Sequence, residues 1–201
     1  MRKKPLALVA AGIGGAALWW RKNPSACPYS QRFWVEAPHP LITRARLREI
    51  LEPRPGERVL EIGPGTGYYT LDLAEWVGDD GAIEIFDIQQ EMLDHTTRAA
   101  GERGLDNVNA TLGDARQLRW DDDDFDAAIL IAVLGEIPDQ DAALREVARV
   151  LRPGGRLVVG ELFGDPHYVA PGALGRRAAA AGLAFERRLG PKVGYFARFR
   201  A

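Results

Sequence analysis

Short apolar runs alternate with helically spaced apolar positions along most of the chain. Runs of branched and aromatic apolar residues predict strands, whereas apolar residues three and four positions apart predict helices. The predicted strands are 58–62, 82–87, 108–112, 125–132, 156–161, 184–189 and 195–199. The predicted helices are 41–51, 66–77, 89–103, 140–151 and 172–181. Because strands and helices alternate, we expect a parallel sheet covered by helices on both faces, with a terminal hairpin.

The first 22 residues differ from the rest of the chain in their apolar pattern. Residues 5–20 carry no charge, follow the basic residues 2–4 and precede Arg21 and Lys22. This stretch is slightly shorter than the roughly 20 residues that cross a bilayer, and tryptophan beside basic residues is typical of the membrane interface. Residues 1–22 therefore predict an uncleaved membrane anchor. The alternatives are a signal peptide, although no small-x-small cleavage site follows, and a helix packed on the domain or on a partner.

Residues 23–55 predict a lid or linker that is followed by the first helix. The stretch from 23 to 40 is rich in proline and aromatic residues, including Tyr29 and Trp34. Such a segment either closes over a substrate or packs against the first helix, and its composition leaves both interpretations open. The main domain is then expected at 56–201.

The composition is that of one globular domain. The chain has 201 residues, of which 46% are hydrophobic and 27% charged, so it is too short for two ordinary domains. The net charge of −2 gives no support to a nucleic-acid partner, which requires a basic face. Cys27 is the only cysteine, so the chain forms no intrachain disulfide. We interpret the acidic run 121–124 as a solvated loop before a strand, and we predict no metal site.

A glycine-rich turn follows the first predicted strand. Residues 59–67 read VLEIGPGTG, so an acidic residue and alternating glycines separate the strand from the next helix. A strand–turn–helix unit of this kind brings backbone amides and a helix N-terminus to a ligand. Dinucleotide folds space their glycines as G-x-G-x-x-G, whereas here the third glycine comes one residue early and Tyr68 takes its place. We expect a ligand at this turn, against the alternative of a turn that binds nothing.

The glycine turn and the segments after it resemble the class I, Rossmann-like methyltransferases that use S-adenosylmethionine (SAM). Four later landmarks follow in that family's order: Asp87, 113–115 (GDA), 125–129 (FDAAI) and 149–157 (RVLRPGGRL). The last is similar to the branch that methylates quinones, sterols and other small molecules. The resemblance covers the chain from about residue 41 to its end. It implies SAM as the cofactor and a three-layer α/β fold, with a mostly parallel seven-stranded sheet and a C-terminal antiparallel hairpin.

The resemblance also implies which residues bind SAM. Asp87 would accept hydrogen bonds from the ribose hydroxyls, Asp114 would lie beside the adenine amino group, and Glu61 would hold the methionine amino group. Each has an alternative: Asp87 caps the next helix, Asp114 forms a turn, and Glu61 only orients the glycine turn. Ile88 would line the adenine slot or belong to the core. The expected cofactor residues are Glu61, Gly63, Gly65, Gly67, Asp87, Ile88, Asp114, Ala115 and Ala132.

The methyl acceptor is expected beside the loops after the fourth and fifth strands, since open α/β sheets bind ligands at the carboxyl ends of their strands. Glu136 is a candidate acceptor contact or base, against the alternative of a helix-capping carboxylate. His167 is the second candidate, against the alternative of an ordinary surface histidine. Glu161 and Tyr29 are weaker candidates. Methyl transfer mainly requires orientation, and a base is needed only where the acceptor loses a proton.

The expected acceptor is a small, lipophilic molecule, because a membrane anchor would bring the domain to one. An isoprenoid quinone, a phospholipid headgroup and a hydrophobic natural product all fit this description. Because SAM is a cytosolic metabolite, we expect the domain in the cytoplasm or on the cytoplasmic face of the membrane. Two other functions stay open. One is a SAM-binding regulatory or partner protein without catalysis, and the other is a nicotinamide-dependent enzyme, which the glycine spacing disfavours.

Overall fold

The computed structural model describes residues 24–33 and 40–201 of the chain. The predicted membrane anchor at 1–22 and the aromatic residue Trp34 lie outside the described residues. Within the described ranges, no helix combines the length and the apolar character that crossing a bilayer requires.

Strands and helices alternate from residue 44 onward. The strands are β1 (Arg58–Ile62), β2 (Ala82–Asp87), β3 (Val108–Leu112), β4 (Phe125–Ile131), β5 (Leu151–Leu162), β6 (Ala184–Leu189) and β7 (Gly194–Arg200). The α-helices are α1 (Arg44–Leu51), α2 (Thr70–Val77), α3 (Gln90–Glu102), α4 (Gln140–Val150) and α5 (Pro171–Ala180). Short 3-10 helices cover Tyr29–Gln31 and Leu134–Glu136.

The seven strands lie in one sheet, in the order β3-β2-β1-β4-β5-β7-β6. The first five strands of this order run parallel, and β7 runs antiparallel to both β5 and β6. This topology confirms the predicted mostly parallel sheet with an antiparallel C-terminal hairpin. After β1 the chain moves outward to β2 and β3, and it then returns to place β4 on the other side of β1. Open α/β sheets bind ligands in the crevice at such a reversal.

The core has two halves, one on each face of the sheet. Leu60 of β1 packs with α4 and α5, whereas its neighbour Val59 packs with α1, α2 and α3. This alternation follows from the two-residue period of side chains along a strand. Glu61, two residues after Val59, therefore lies on the face of the sheet that α2 covers, and its carboxylate accepts a hydrogen bond from the hydroxyl of Thr70 of α2.

Two helices begin later than their apolar spacing predicts. α1 begins at Arg44 rather than at 41, because Thr43 is its N-cap and the Thr43 Oγ1 accepts a hydrogen bond from the Arg46 amide at 3.3 Å. α2 begins at Thr70 rather than at 66, because Gly67 takes a positive φ of 84°, which is incompatible with a right-handed helix. In both places a local backbone requirement overrides the apolar pattern.

The fifth strand begins earlier than predicted, at Leu151 rather than at 156. The Gly154 amide donates to the Ala201 carbonyl at 2.9 Å, and the Ala201 amide donates to the Gly155 carbonyl at 3.1 Å. These bonds extend the pairing of β5 with the segment that follows β7. The residues before 156 are therefore held by the last residue of the chain rather than left as a free turn.

The acidic run 121–124 contacts arginines. The Asp122 carboxylate lies 2.9 Å from the Arg149 guanidinium, and Asp124 forms an ion pair with Arg58. Within the part of the chain that the structure describes, no group of His, Cys, Asp and Glu side chains is arranged to hold a metal ion. The described contacts of the run are thus those of a loop fastened to neighbouring elements.

Candidate active site

The carboxyl ends of the central strands bring the predicted site residues to one edge of the sheet. The loops that leave these ends are connected to neighbouring strands. The Gly63 amide donates to the Phe86 carbonyl at 2.9 Å, and the Gly113 amide donates to the Asp87 carbonyl at 2.8 Å. The Ala132 amide donates to the Gly160 carbonyl at 2.8 Å. The predicted cofactor and acceptor residues therefore follow strands whose ends lie side by side.

The glycine turn has no room for larger residues at its first position. Gly63, Gly65 and Gly67 all take positive φ values, of 71°, 58° and 84°. A Cβ on Gly63 would lie 2.3 Å from a methyl carbon of Val133. The Gly65 carbonyl accepts a hydrogen bond from the Thr96 hydroxyl at 3.1 Å, which ties the turn to α3. The turn is therefore built for left-handed backbone and close packing, as the sequence predicts.

Glu61 lies beneath the turn and is 2% exposed. It accepts a hydrogen bond from the Thr70 hydroxyl at 2.6 Å, which joins β1 to the first residue of α2. Burial raises the pKa of Glu61 to about 7, and the bond from Thr70 lowers it in part. This hydrogen bond is the one expected if Glu61 orients the glycine turn. A contact between Glu61 and the methionine amino group of SAM stays a prediction.

Asp87 ends β2 and begins the turn into α3. Its Oδ1 accepts a hydrogen bond from the Gln89 amide at 2.8 Å, and burial raises the pKa of Asp87 to about 6. The alternative that Asp87 caps α3 is wrong, because Gln89 is the N-cap of that helix and Asp87 closes the turn before it. The neighbouring Ile88 is 61% exposed, so its assignment to the core is wrong. An exposed apolar side chain at this position can pack against a planar ring of a ligand.

Asp114 lines a cavity of about 350 Å³ after β3, together with Gly113, Gln117 and Leu118. Its carboxylate forms an ion pair with Arg116 at 2.5 Å, and the hydrogen bond from Arg116 lowers the pKa of Asp114. The Gln117 amide donates to the Asp114 carbonyl at 2.9 Å, so Asp114 also forms a turn. The adenine contact stays a prediction, and the adjoining cavity supplies space for it.

Two alanines of the predicted cofactor set differ in their setting. Ala115 is buried in the core cluster beneath the cavity. Ala132, directly after β4, has a φ of 55°. A left-handed backbone is uncommon in residues other than glycine, and it often marks a functional turn. The sequence carries no sign of this conformation.

Glu136 lies in the 3-10 helix that follows β4. Its Oε2 accepts a hydrogen bond from the Cys27 amide at 3.2 Å. Burial is the main cause that raises its pKa to about 8, and the charge of Asp165 adds to this shift. Asp139 is the residue that caps α4, because its Oδ1 accepts a hydrogen bond from the Ala142 amide at 2.9 Å. The helix-capping alternative for Glu136 is therefore wrong.

His167 is 8% exposed, so the alternative of an ordinary surface histidine is wrong. Its backbone amide donates to the Asp165 Oδ1 at 2.7 Å. Its carbonyl packs against Gly135, where an added Cβ would lie 1.7 Å from the carbonyl oxygen. This contact joins the loop after β5 to the turn that carries Glu136. Both candidate acceptor residues thus belong to one packed unit.

Gln89, which the sequence analysis did not identify, holds the segment 24–33 against this edge of the sheet. The Gln89 side chain donates to the Cys27 carbonyl at 3.0 Å and accepts from the Tyr29 amide at 3.2 Å. The Tyr29 hydroxyl lies 3.1 Å from the His95 Nδ1 of α3. A polar residue two positions after Asp87 is the one local signal that points to Gln89. The pairing itself joins residues about 60 positions apart.

This edge holds four acidic side chains whose charged forms a cationic ligand would stabilise. Burial is the first cause of the raised pKa values of Glu61, Asp87, Glu136 and Glu161. The ion pairs between described residues leave all four carboxylates out. SAM carries a sulfonium and an ammonium group. The acidic side chains, the glycine turn with no room for a Cβ at Gly63 and the cavity beside Asp114 therefore fit SAM.

The profile of the ubiE/COQ5 methyltransferase family matches residues 38–167. The chain is 40% identical over 114 residues to the ubiquinone/menaquinone biosynthesis C-methyltransferase UbiE of Vibrio campbellii, covering 56% of this chain and 44% of the relative. Against the Shewanella oneidensis enzyme of the same name, it is 37% identical over 122 residues, covering 60% and 49%. The chain therefore spans about half the length of the curated relatives it matches.

Solved structures support the fold. A SAM-dependent methyltransferase from Aquifex aeolicus superposes with a TM-score of 0.79 at 19% identity, covering 87% of this chain and 98% of that one. The [4+2]-cyclase SpnF superposes with a TM-score of 0.69 at 23% identity, covering 78% of both chains. At these identities the likeness extends to the fold alone, since one of the two proteins is named as a cyclase.

Proposed function

The chain belongs to the ubiE/COQ5 methyltransferase family, and from that membership we propose that it transfers a methyl group from SAM to a ring carbon of a lipophilic quinol. The membership makes SAM the cofactor. The observation that carries the proposal is the edge at the β1–β4 reversal, where the glycine turn and Asp87 lie on one side and Glu136 and His167 on the other. This layout offers one place for a cofactor and an adjoining place for an acceptor.

The cofactor side uses the residues of the glycine turn and of the strand ends. We propose that Asp87 accepts hydrogen bonds from the ribose hydroxyls, that Ile88 and the cavity beside Asp114 receive the adenine, and that Glu61 holds the turn in place. When bound, SAM supplies an activated methyl group on a positively charged sulfur. The protein then has to orient the acceptor and exclude water, which accounts for a large part of the acceleration in such reactions.

The acceptor side supports a lipophilic molecule. Two relatives carry names that state C-methylation in ubiquinone and menaquinone biosynthesis. On this chain, Phe163 is 65% exposed and Val193 is 48% exposed, and the Phe163 amide donates to the Val193 carbonyl at 2.8 Å. These apolar side chains stand in and beside the loop that carries His167. An isoprenoid side chain is the part of a quinol that such a rim would contact.

Glu136, His167 and the segment 24–33 are proposed to enclose the acceptor. His167 is buried and Glu136 is half-buried, the two adjoin through Gly135, and the Cys27 amide donates to Glu136. A lid that closes over reactants excludes water and completes the site. The segment 24–33 would then open for entry by breaking its bonds with Gln89 and Glu136.

Thermal unfolding and turnover together test the proposed function. SAM and S-adenosylhomocysteine should each raise the unfolding temperature of the purified full-length protein, while NAD+ and NADP+ should leave it unchanged. Dithionite-reduced 1,4-naphthoquinone with a geranyl chain should then be methylated in lipid vesicles. Stabilisation by SAM without turnover of any quinol would favour the non-catalytic SAM-binding alternative, and stabilisation by NAD+ would contradict the proposal.

The N-terminal segment is expected to hold the protein at a membrane. Residues 5–20 carry no charge and end in two tryptophans before a basic pair. Full-length protein should therefore sediment with membranes at high salt, which removes purely electrostatic binding. A Val9→Lys and Ile13→Lys double variant is the matched control, and it should move to the supernatant while still binding SAM. Full-length protein found entirely in the supernatant would remove the anchor and its support for a lipophilic acceptor.

A further inference from the structure

Three carboxylates from three parts of the chain meet on the acceptor side; we call them the acidic triplet. Glu136 comes from the 3-10 helix after β4, Glu161 from β5, and Asp165 from the loop after β5. Gly135, the residue before Glu136, packs against the carbonyl of His167, and the His167 amide donates to Asp165, so the two loops are in contact beside β5. The charges of Asp165 and Glu136 both raise the pKa of Glu161. The ion pairs between described residues include neither Glu136 nor Glu161. Burial raises the pKa of Asp165, and the charge of His167 lowers it in part.

Glu161 stands out within the triplet because one of its oxygens is buried without a partner. The residue is 1% exposed. Its Oε2 accepts a hydrogen bond from the Val169 amide at 2.9 Å, whereas its Oε1 has no hydrogen-bond partner among the described residues. Leaving a buried acceptor unpaired destabilises the folded protein, so such an atom is normally matched by a proton or a ligand.

The reaction proposed above requires a place for one proton, and the inference rests on that proposed function. The sulfonium of SAM is positively charged and S-adenosylhomocysteine is not, so methylation of a neutral acceptor releases one proton. In a quinol, the ring carbon forms its bond to the methyl group as the S–CH3 bond breaks, and the ring hydroxyl loses its proton. The proton on the methylated carbon then moves to the oxygen and restores the aromatic ring.

We propose that the Oε1 of Glu161 accepts the hydroxyl proton of the acceptor. Glu136 and Asp165 act as positioning residues, because their charges increase the affinity of Glu161 for a proton. The bond from Val169 holds the other oxygen and fixes the orientation of the carboxylate. After the transfer, the proton leaves to solvent when the segment 24–33 opens.

The groups around Glu161 set the sign of its response to pH. The titratable and charged groups that face it directly or through the triplet are Cys27, Asp87, Glu136, Asp165, His167, Tyr168, Arg188 and Tyr195. Burial is the largest cause of the raised pKa of Glu161, which reaches about 8. A carboxylate accepts a proton only when it is deprotonated, so kcat should rise with pH through this value. Removing the charge of Asp165 lowers the pKa and should move the rise to lower pH.

The kinetic test compares variants of the full-length protein with SAM and the geranyl naphthoquinol in vesicles. Glu161→Gln keeps an oxygen for the Val169 amide, and it should lower kcat by about 100-fold or more with unchanged affinity for SAM. Glu161→Asp should restore part of the rate, and Asp165→Asn should shift the pH profile to lower pH. Glu91→Gln, on the exposed face of α3, is the control and should behave as wild type. An unchanged kcat and pH profile in Glu161→Gln would overturn the proposal.

A second measurement separates this proposal from the proposed function. Infrared difference spectra of the protein bound to S-adenosylhomocysteine, recorded without any acceptor, report protonated carboxyl groups directly. A carboxyl band that titrates in wild type and is lost in Glu161→Gln supports the assignment. Because Glu61 and Glu136 also contribute to this region, the wild-type and Glu161→Gln spectra are subtracted, and identical carboxyl bands in the two proteins overturn it. If wild-type protein fails to methylate the quinol, the proposed function fails, and the infrared result still decides whether Glu161 takes up the proton.

Discussion

Replacing Asp87 by alanine is expected to weaken SAM binding by about 30- to 1,000-fold. The change removes hydrogen bonds to a charged acceptor, and such a loss corresponds to about 2–4 kcal/mol. Asp87 closes β2, and its described contact is the turn to Gln89. Because that turn is short and local, the fold should survive the substitution. Isothermal titration of the full-length variant with SAM measures the effect.

Asp80→Ala is the matched control for this prediction. Asp80 is an exposed aspartate just before the opposite end of β2, so its loss should leave SAM affinity unchanged. Asp87→Asn adds a further comparison, since the amide oxygen still accepts the Gln89 amide without the charge. Full SAM affinity in a folded Asp87→Ala protein would show that the carboxyl end of β2 does not contact the ribose of bound SAM.

Replacing Gly135 by alanine is expected to destabilise the protein by about 3 kcal/mol and to lower methyl transfer strongly. The added Cβ would lie 1.7 Å from the His167 carbonyl oxygen and 2.6 Å from its carbonyl carbon. Backbone atoms cannot rotate away, so one loop has to move, and overpacking of this kind is costly. The displaced loops carry Glu136 and His167.

Urea unfolding and steady-state kinetics measure the two parts of this effect. Gly164→Ala is the control, because Gly164 lies in the loop after β5 and a Cβ there meets nothing within 4 Å. We expect near-wild-type stability and turnover for Gly164→Ala. Wild-type stability in Gly135→Ala would mean that the contact between the two loops is not close.

The sheet was predictable because its strands are short apolar runs, and the structure places β3 and β6 at their predicted residues. Helix starts were less predictable. The helical apolar spacing begins at residue 66, but Gly67 has a left-handed backbone, so α2 begins only at Thr70. The spacing of apolar residues contains no information about φ. β5 begins at Leu151 because that residue pairs with Phe125 of β4, and Gly154 and Gly155 then bond to Ala201. The apolar spacing near residue 151 does not reveal these long-range partners.

The candidate site was predictable where one segment carries both the fold and the chemistry. The glycine turn and Asp87 are local features of a strand–turn–helix unit, so their positions follow from the sequence. The bond from Cys27 to Glu136 joins residues 109 positions apart, and the role of Asp165 depends on the packing of three loops. Such contacts arise from tertiary structure, and a pattern along the chain does not contain them.

Transfer of a labelled methyl group tests the central claim most directly. Full-length protein is incubated in vesicles with SAM that carries a trideuterated methyl group and with the geranyl naphthoquinol, and the product is analysed by mass spectrometry and NMR. The proposed function predicts that the deuterated methyl appears on a ring carbon, and that Asp87→Ala abolishes this product at limiting SAM. A label on oxygen, or no labelled quinol despite tight SAM binding, would contradict the claim.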